Sequence, residues 1–216
     1  MEFLDNIVSF IRDGGAWMYP ILLVGAVGAA ISTERYLTLN RIGHANRKMW
    51  DQVHPVLVAR EFDKARAMTA DDKSTISELL NLGLERQGAV RRRDDIEIAM
   101  EEGMMEIMPQ LEKRTGFIAL FANIATLLGL LGTIVGLIQA FTAVAHANPA
   151  EKADLLSGSI SVAMNTTALG LIVAVPLLLA HAYLNSRTGE IIDSLEMASV
   201  KTLNIIMSAT QQRPNS

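Results

Sequence analysis

Apolar residues along this chain gather into three long runs that carry no charged side chain: Gly14 to Thr33, Thr115 to Ala150 and Leu155 to Ser186. About 20 apolar residues, rising about 1.5 Å each in a helix, cross a hydrocarbon core of ~30 Å, so each run predicts a membrane-spanning helix. The first opens Gly14-Gly15-Ala16-Trp17-Met18-Tyr19-Pro20, with aromatics where an interfacial belt belongs and Pro20 in a first turn. Between the first and second runs, charged and apolar residues alternate at helical spacing. Thr75 with Glu78 and Asp94 with Glu97 have the spacing of helix-starting caps, and Asp71-Asp72-Lys73 reads as a loop. From Asp95 the helical pattern passes through Pro109, read as a kink, and into the second run. A continuous helix from Asp95 to His146 would be about 78 Å long. The third run likewise continues past Ser186 through Ile191, Ile192, Leu195, Ala198 and Leu203 at amphipathic spacing. No strand alternation is visible. The expected fold is all-α: an integral membrane protein of three transmembrane helices with long cytoplasmic helical extensions.

Composition supports this reading. Hydrophobic residues make up 50% of the 216 positions and charged residues 19%, against roughly 25% in an ordinary soluble domain. Glu2 and Asp5 precede the first basic residue, Arg12, so the N-terminus does not read as a secretory signal. Orientation follows from lysine and arginine, which cytoplasmic flanks retain. With the N-terminus outside, only Arg12 and Lys152 of the 19 basic residues lie externally. The expected layout is a periplasmic segment 1–13, spans at 14–34, 115–146 and 155–185, a periplasmic loop 147–154, and cytoplasmic parts at 35–114 and 186–216. The tail from Gln211 to Ser216 is expected to fray.

The spans also carry polar chemistry. On a helical wheel Ala125, Gly129, Gly132 and Gly136 fall in one stripe of the second span, with Thr126 and Thr133 beside it. On the third, Ser159, Ala163, Thr166, Thr167, Gly170 and Ala174 share a face, with Ser161 and Asn165 turned away. Pro176 frees the carbonyl of Ile172. Small residues let helices approach closely in lipid, and threonine hydroxyls either line a hydrophilic path or bond their own helix and its neighbour as packing glue. The residues alone leave both readings open. The three uncharged runs leave no Asp, Glu, Lys or Arg inside a span short of Glu34 at the end of the first, although proton relays normally use one; His181, near a cytoplasmic end, reads as interfacial.

Several functions are excluded or unsupported. With no cysteine there is no thiolate chemistry. A net charge of −4 offers no field for nucleic acid. The spacing of His44, His54 and His146 makes no metal site, and Gly129-x2-Gly132-x3-Gly136 lacks the phosphate-loop pattern. No enzyme activity, cofactor or metal is expected.

Taken together, the run Leu127-Leu128-Gly129-Leu130-Leu131-Gly132-Thr133-Ile134-Val135-Gly136-Leu137-Ile138 and Ala140-Phe141 resembles the signature second span of the MotA/TolQ/ExbB proton channel family. Thr167-Ala168-Leu169-Gly170-Leu171 through Ala174-Val175-Pro176 resembles its third span, and Gly14-Gly15 to Leu23, ending Glu34-Arg35, fits its first. Three spans rather than four place the resemblance nearer ExbB and TolQ. It implies an inner-membrane pentamer in lipid around a single-span ExbD/TolR-like partner whose transmembrane aspartate carries the proton, and a TonB-like or TolA-like protein driven by the complex. Thr133 and Thr167 match the threonines that line the family's path near that aspartate, and Thr166 and Thr126 join them as candidate ion-pathway residues. Gly129, Gly132, Gly136, Ala163, Gly170 and Ala174 are the small positions expected to pack around the partner. Two residues depart from the family pattern: Val162 stands where relatives carry glutamate, and Thr126 replaces a frequent proline. These departures make a sodium-driven stator an alternative, as is a non-conducting scaffold for cytoplasmic helices.

Overall fold

A computed structural model of the chain describes residue 10, residues 14–89 and residues 93–211. The expected periplasmic segment and frayed tail therefore lie almost wholly outside the described residues. Among the described residues six helices follow in order: α1 (Met18–Val58), α2 (Phe62–Ala70), α3 (Thr75–Ala89), α4 (Arg93–Glu112), α5 (Thr115–His146) and α6 (Lys152–Gln211). Among the described residues there is no strand, and three helical stretches are long and apolar enough to cross a membrane. Their most apolar windows reach mean hydropathies of 1.2 in Met18–Val58, 2.2 in Arg93–His146 and 2.0 in Lys152–Ala209.

The chain divides into two units, one made of residues 1–34 and 114–183, the other of 35–113 and 184–216. In the first unit, α1 packs on α6 through small residues. A Cβ added to Gly25 would stand 2.8 Å from Val173, and one on Gly28 would stand 2.7 Å from Leu177. Apolar side chains on α5 and α6 remain uncovered, Leu127, Ile138, Ile172 and Leu179 among them. That is the state of a helix surface made for lipid or for another chain, since hydrocarbon places no penalty on it.

The second unit has an interior of Leu39, Val53, Leu57, Leu79, Leu80, Leu84, Met100, Ile107, Leu195 and Ile206, all buried. Glycine again sets the approach: Gly83 of α3 faces Met100 of α4, and Gly103 of α4 faces Leu79 and Leu82. Helix α1 stops in a Schellman-type turn, with Glu61 N–H donating to Val56 O at 3.1 Å, Arg60 N–H to Leu57 O at 2.9 Å, and Arg60 left-handed at φ 61°.

Two local expectations need correction. The helix from Asp95 to His146 is not continuous: α4 passes through Pro109 and ends at Glu112, and Arg114 adopts φ 66° before α5 begins. The Arg35 guanidinium, only 4% exposed, donates to the carbonyl of Leu111, satisfying one of the acceptors that a helix C-terminus leaves free. The start of α3 also lies one residue earlier than the Thr75–Glu78 spacing implies. Ser74 caps it, accepting from Ser77 N–H at 3.4 Å, while Thr75 exchanges hydrogen bonds with Asn46 of α1 at 2.8 and 3.0 Å. Asn46 Oδ1 also accepts from Ile76 N–H at 3.2 Å.

Asp72 completes this cap. Burial pushes its carboxyl up, but the hydroxyls of Ser74 and Ser77, the Ser74 N–H and the nearby Lys48 outweigh it, leaving the group below its ordinary 3.8. A carboxylate lowered on folding stabilises the fold above its unfolded pKa and loses that contribution as pH falls through the folded value. Stability of the α3 start is therefore expected to fall below about pH 4 in the native chain. In Asp72→Asn that part of the pH dependence should vanish, at a cost of about 1 kcal/mol at neutral pH, read by thermal unfolding across pH.

Candidate functional site

In the first unit, α5 and α6 touch along the small-residue stripes. A Cβ on Gly129 would lie 3.1 Å from Thr166 O and 3.2 Å from the Cα of Gly170; one on Gly170 would lie 2.8 Å from Ala125 O. Gly132 faces Thr166 Oγ1 at 2.9 Å, and Gly136 faces Ala163 Cβ at 3.0 Å. These notional contacts fall on backbone atoms at Gly129 and Gly170, so a side chain at Gly170 would force the helices apart and one at Gly129 would make them give by a few tenths of an ångström. Ala163 and Ala174 are buried on α6 at 1% and 2% exposure. The stripe thus packs the second span against the chain's own third span.

This approach brings hydroxyls and carbonyls together. Thr133 Oγ1 and Thr167 Oγ1 share a hydrogen bond across the two helices. Thr133 Oγ1 also reaches Gly129 O at 3.2 Å and Ala163 O at 3.1 Å, and Thr167 Oγ1 reaches Gly129 O at 3.0 Å. Beside them the buried Thr166 donates to Ala163 O at 2.6 Å. Both expected readings of threonine occur at once, since Thr133 bonds its own helix and its neighbour. A hydroxyl carries one proton. Thr133 therefore has one proton for three acceptors and Thr167 one for two. Rotation about a hydroxyl torsion moves the donated bond from one acceptor to another without leaving the donor unpaired. Such a cluster can meet a carboxyl group, a water molecule or a small cation with either a donor or a lone pair.

Thr126 does not join this cluster. It is exposed and donates to Ala122 O of its own helix at 3.2 Å. Val162, on α6 one residue before Ala163, is 37% exposed and borders a cavity of about 470 Å³ with Glu151, Asp154, Leu155, Gly158 and Ser159. Gly15 comes to the other side of Val162, its notional Cβ 3.5 Å from Cγ1. The roles of Gly25 and Gly28 escaped the sequence reading, although their i, i+3 spacing in an apolar run is the same small-residue signal that marks the second span.

The sequence that builds these three spans has counterparts among known proteins. Residues 71–197, more than half of the chain, match the model of the MotA/TolQ/ExbB proton channel family, and the chain belongs to that family. Within it the chain stands nearest ExbB and TolQ. A biopolymer transport protein ExbB homolog of Methanothermobacter thermautotrophicus is 28% identical over 212 residues, covering 94% of this chain and 71% of that protein. The biopolymer transport protein ExbB of Aquifex aeolicus is 29% identical over 111 residues, 51% of this chain and 72% of that one. The Tol-Pal system protein TolQ of Haemophilus influenzae is 33% identical over 93 residues, 43% and 40% of the two chains. The chain is accordingly a multi-pass inner-membrane protein of proton-channel type, from a family that energises transport rather than one of enzymes.

Proposed function

We propose that this chain is the ion-conducting stator subunit of an inner-membrane motor. It forms a homo-oligomer, a pentamer by family resemblance, around a single-span ExbD/TolR-like protein with a transmembrane aspartate. The N-terminus is periplasmic and the C-terminus cytoplasmic. The observation that carries the reading is the Thr133–Thr167 pair with the carbonyls of Gly129 and Ala163, in second and third spans that hold no acid of their own. A path without a titratable group needs one from another chain, and the hydroxyl pair offers that group a donor or an acceptor. Protonation of the partner aspartate removes a charge that is costly in a low-dielectric interior. The neutral acid then moves past Thr133 and Thr167 and releases its proton toward the cytoplasm. Each elementary charge crossing supplies about 2.3 kcal/mol per 100 mV to the mechanical step. The work goes to a TonB-like or TolA-like arm.

The experiment is purification of the chain with whatever binds it and identification of any single-span protein that comes with it, followed by reconstitution in vesicles under an imposed potential and pH difference. A stator co-purifies with an aspartate-bearing span and changes the conformation or proteolysis of the driven arm only while the gradient stands. A scaffold shows neither. Val162, apolar at the family's glutamate position, favours sodium coupling as a second reading. Replacing external sodium by choline at constant pH separates the two: a proton stator is indifferent, and a sodium stator stops.

A further inference from the structure

Within the second unit, two helices each present an uncovered stripe at heptad spacing. On α1 the exposed positions are Leu37, Arg41, His44, Lys48, Asp51, Pro55 and Val58, successive steps of four and three residues. On α4 they are Ile98, Glu102, Met105, Pro109 and Glu112, with the same steps. Their apolar members are among the most exposed of the unit: Leu37 at 61%, Met105 at 70%, Ile98 at 52% and Val58 at 57%. The opposite faces of both helices are buried, through Leu39, Asn46, Met49, Val53 and Leu57 on α1 and Ile96, Met100, Ile107 and Leu111 on α4. A 3.5-residue repeat keeps these positions on one side of each helix, where a neighbouring helix running alongside would meet them in succession.

The two stripes differ in sign. Around the α1 stripe the exposed charges are Arg41, Arg47 and Lys48, with Asp51 at the far end; around the α4 stripe they are Asp94, Glu101, Glu102, Glu106 and Glu112, with Arg93 and Lys113 at the ends. The bond from Arg35 to the Leu111 carbonyl places those two residues at one level of the unit. Helix α1 leaves that level and α4 arrives at it, each rising about 1.5 Å per residue. Equal counts from the bond pair Arg41 with Met105, His44 with Glu102, Lys48 with Ile98 and Asp51 with Asp95. Arg41 is thus level with the turn that bears Glu102 and Glu106, and Lys48 with the turn that bears Glu97 and Glu101. At the far end Asp51 comes level with Asp95, beside Arg93, so the complementary charges lie toward the Arg41 end of the stripes.

We infer that the α1 stripe of one copy docks on the α4 stripe of the next, antiparallel and at equal height, making the contact between neighbouring second units in the ring. Two different faces of one chain meeting head to tail generate a closed ring when the rotation closes, as a two-fold contact of like faces does not. A second copy is the occupant because the chain itself supplies both complementary signs, a basic face on α1 and an acidic one on α4. The inference rests on the ring reading above and assigns its interface.

The chain has no cysteine, so introduced ones report without background. In the full complex with its single-span partner, His44→Cys combined with Glu102→Cys is expected to give a ladder of disulfide-linked multimers on mild oxidation, and either substitution alone no ladder. Against that reporter pair, Arg41→Glu with Lys48→Glu should lower the cross-link yield about tenfold, as should Glu101→Arg with Glu106→Arg. The fourfold exchange of both sets should restore it, because like charges facing across a contact are costly and swapped pairs are not. The mass of the purified particle is measured in parallel. A particle with one copy of this chain overturns the ring and with it this assignment. A multi-copy particle that gives no ladder, or whose yield the fourfold exchange fails to restore, overturns the assignment and leaves the ring standing.

Discussion

Thr133→Val and Thr167→Val are each expected to reduce ion-driven work to background while the complex still assembles. Valine matches threonine in shape, so the contact between α5 and α6 survives. The lost hydrogen bonds are worth roughly 0.6 kcal/mol each in a membrane bundle, too little to unfold the helices. The hydroxyl that met three acceptors is gone, however, and Thr133 and Thr167 can no longer exchange donor and acceptor roles across the helices. Thr133→Ser keeps the hydroxyl and should retain part of the activity. The measurement is gradient-dependent work in vesicles at equal complex content. Undiminished activity in both valine variants would remove the pair from the path and leave it a packing contact. Thr126→Val serves as the comparison, since Thr126 bonds only within its own helix among the contacts described and should tolerate the change.

The second large effect lies at the glycines. Gly170→Ala pushes a methyl group to 2.8 Å from the carbonyl oxygen of Ala125, and Gly129→Ala pushes one to 3.1 Å from Thr166 O. Neither neighbour is a flexible side-chain end, so the helices must separate. Overpacking of this kind costs about 1–3 kcal/mol, and a leucine at either position should prevent the two spans from pairing altogether. The expected results are a lowered unfolding temperature for the alanine variants and loss of membrane-integrated protein for the leucine variants. Gly116, with nothing within 4 Å of its notional Cβ, should accept alanine without loss. Because separation also parts Thr133 from Thr167, Gly129→Ala should lose activity before it loses assembly.

The fold was legible wherever a long uncharged run stood in the sequence, because a segment that must cross hydrocarbon has few alternatives to a helix. The Thr133–Thr167 pairing was legible only as two stripes of matching period; that they face each other depends on Gly129 and Gly170 allowing backbone contact. Thr126 carries the same periodic signal as Thr133, seven residues on, yet it remains outside the cluster, since α6 does not reach that side of the turn. The break after Glu112 was hidden for a different reason. Pro109 is the stronger local breaker, and Arg114 has no intrinsic liking for the left-handed conformation it takes. What fixes the helix end is Arg35, which is 76 positions away along the chain. No local pattern carries a contact of that range. The one-residue error at the α3 cap has the same origin, Thr75 having been claimed by Asn46 from α1.

That claim by Asn46 bears on how the chain comes to be built. The first turn of α3 takes part of its hydrogen bonding from a helix synthesised earlier, so a fragment starting beyond residue 46 would keep the Ser74 and Asp72 cap but lack the bonds to Thr75 and Ile76. Because Asn46 leaves the ribosome before the segment it contacts, its amide is already present when that turn emerges.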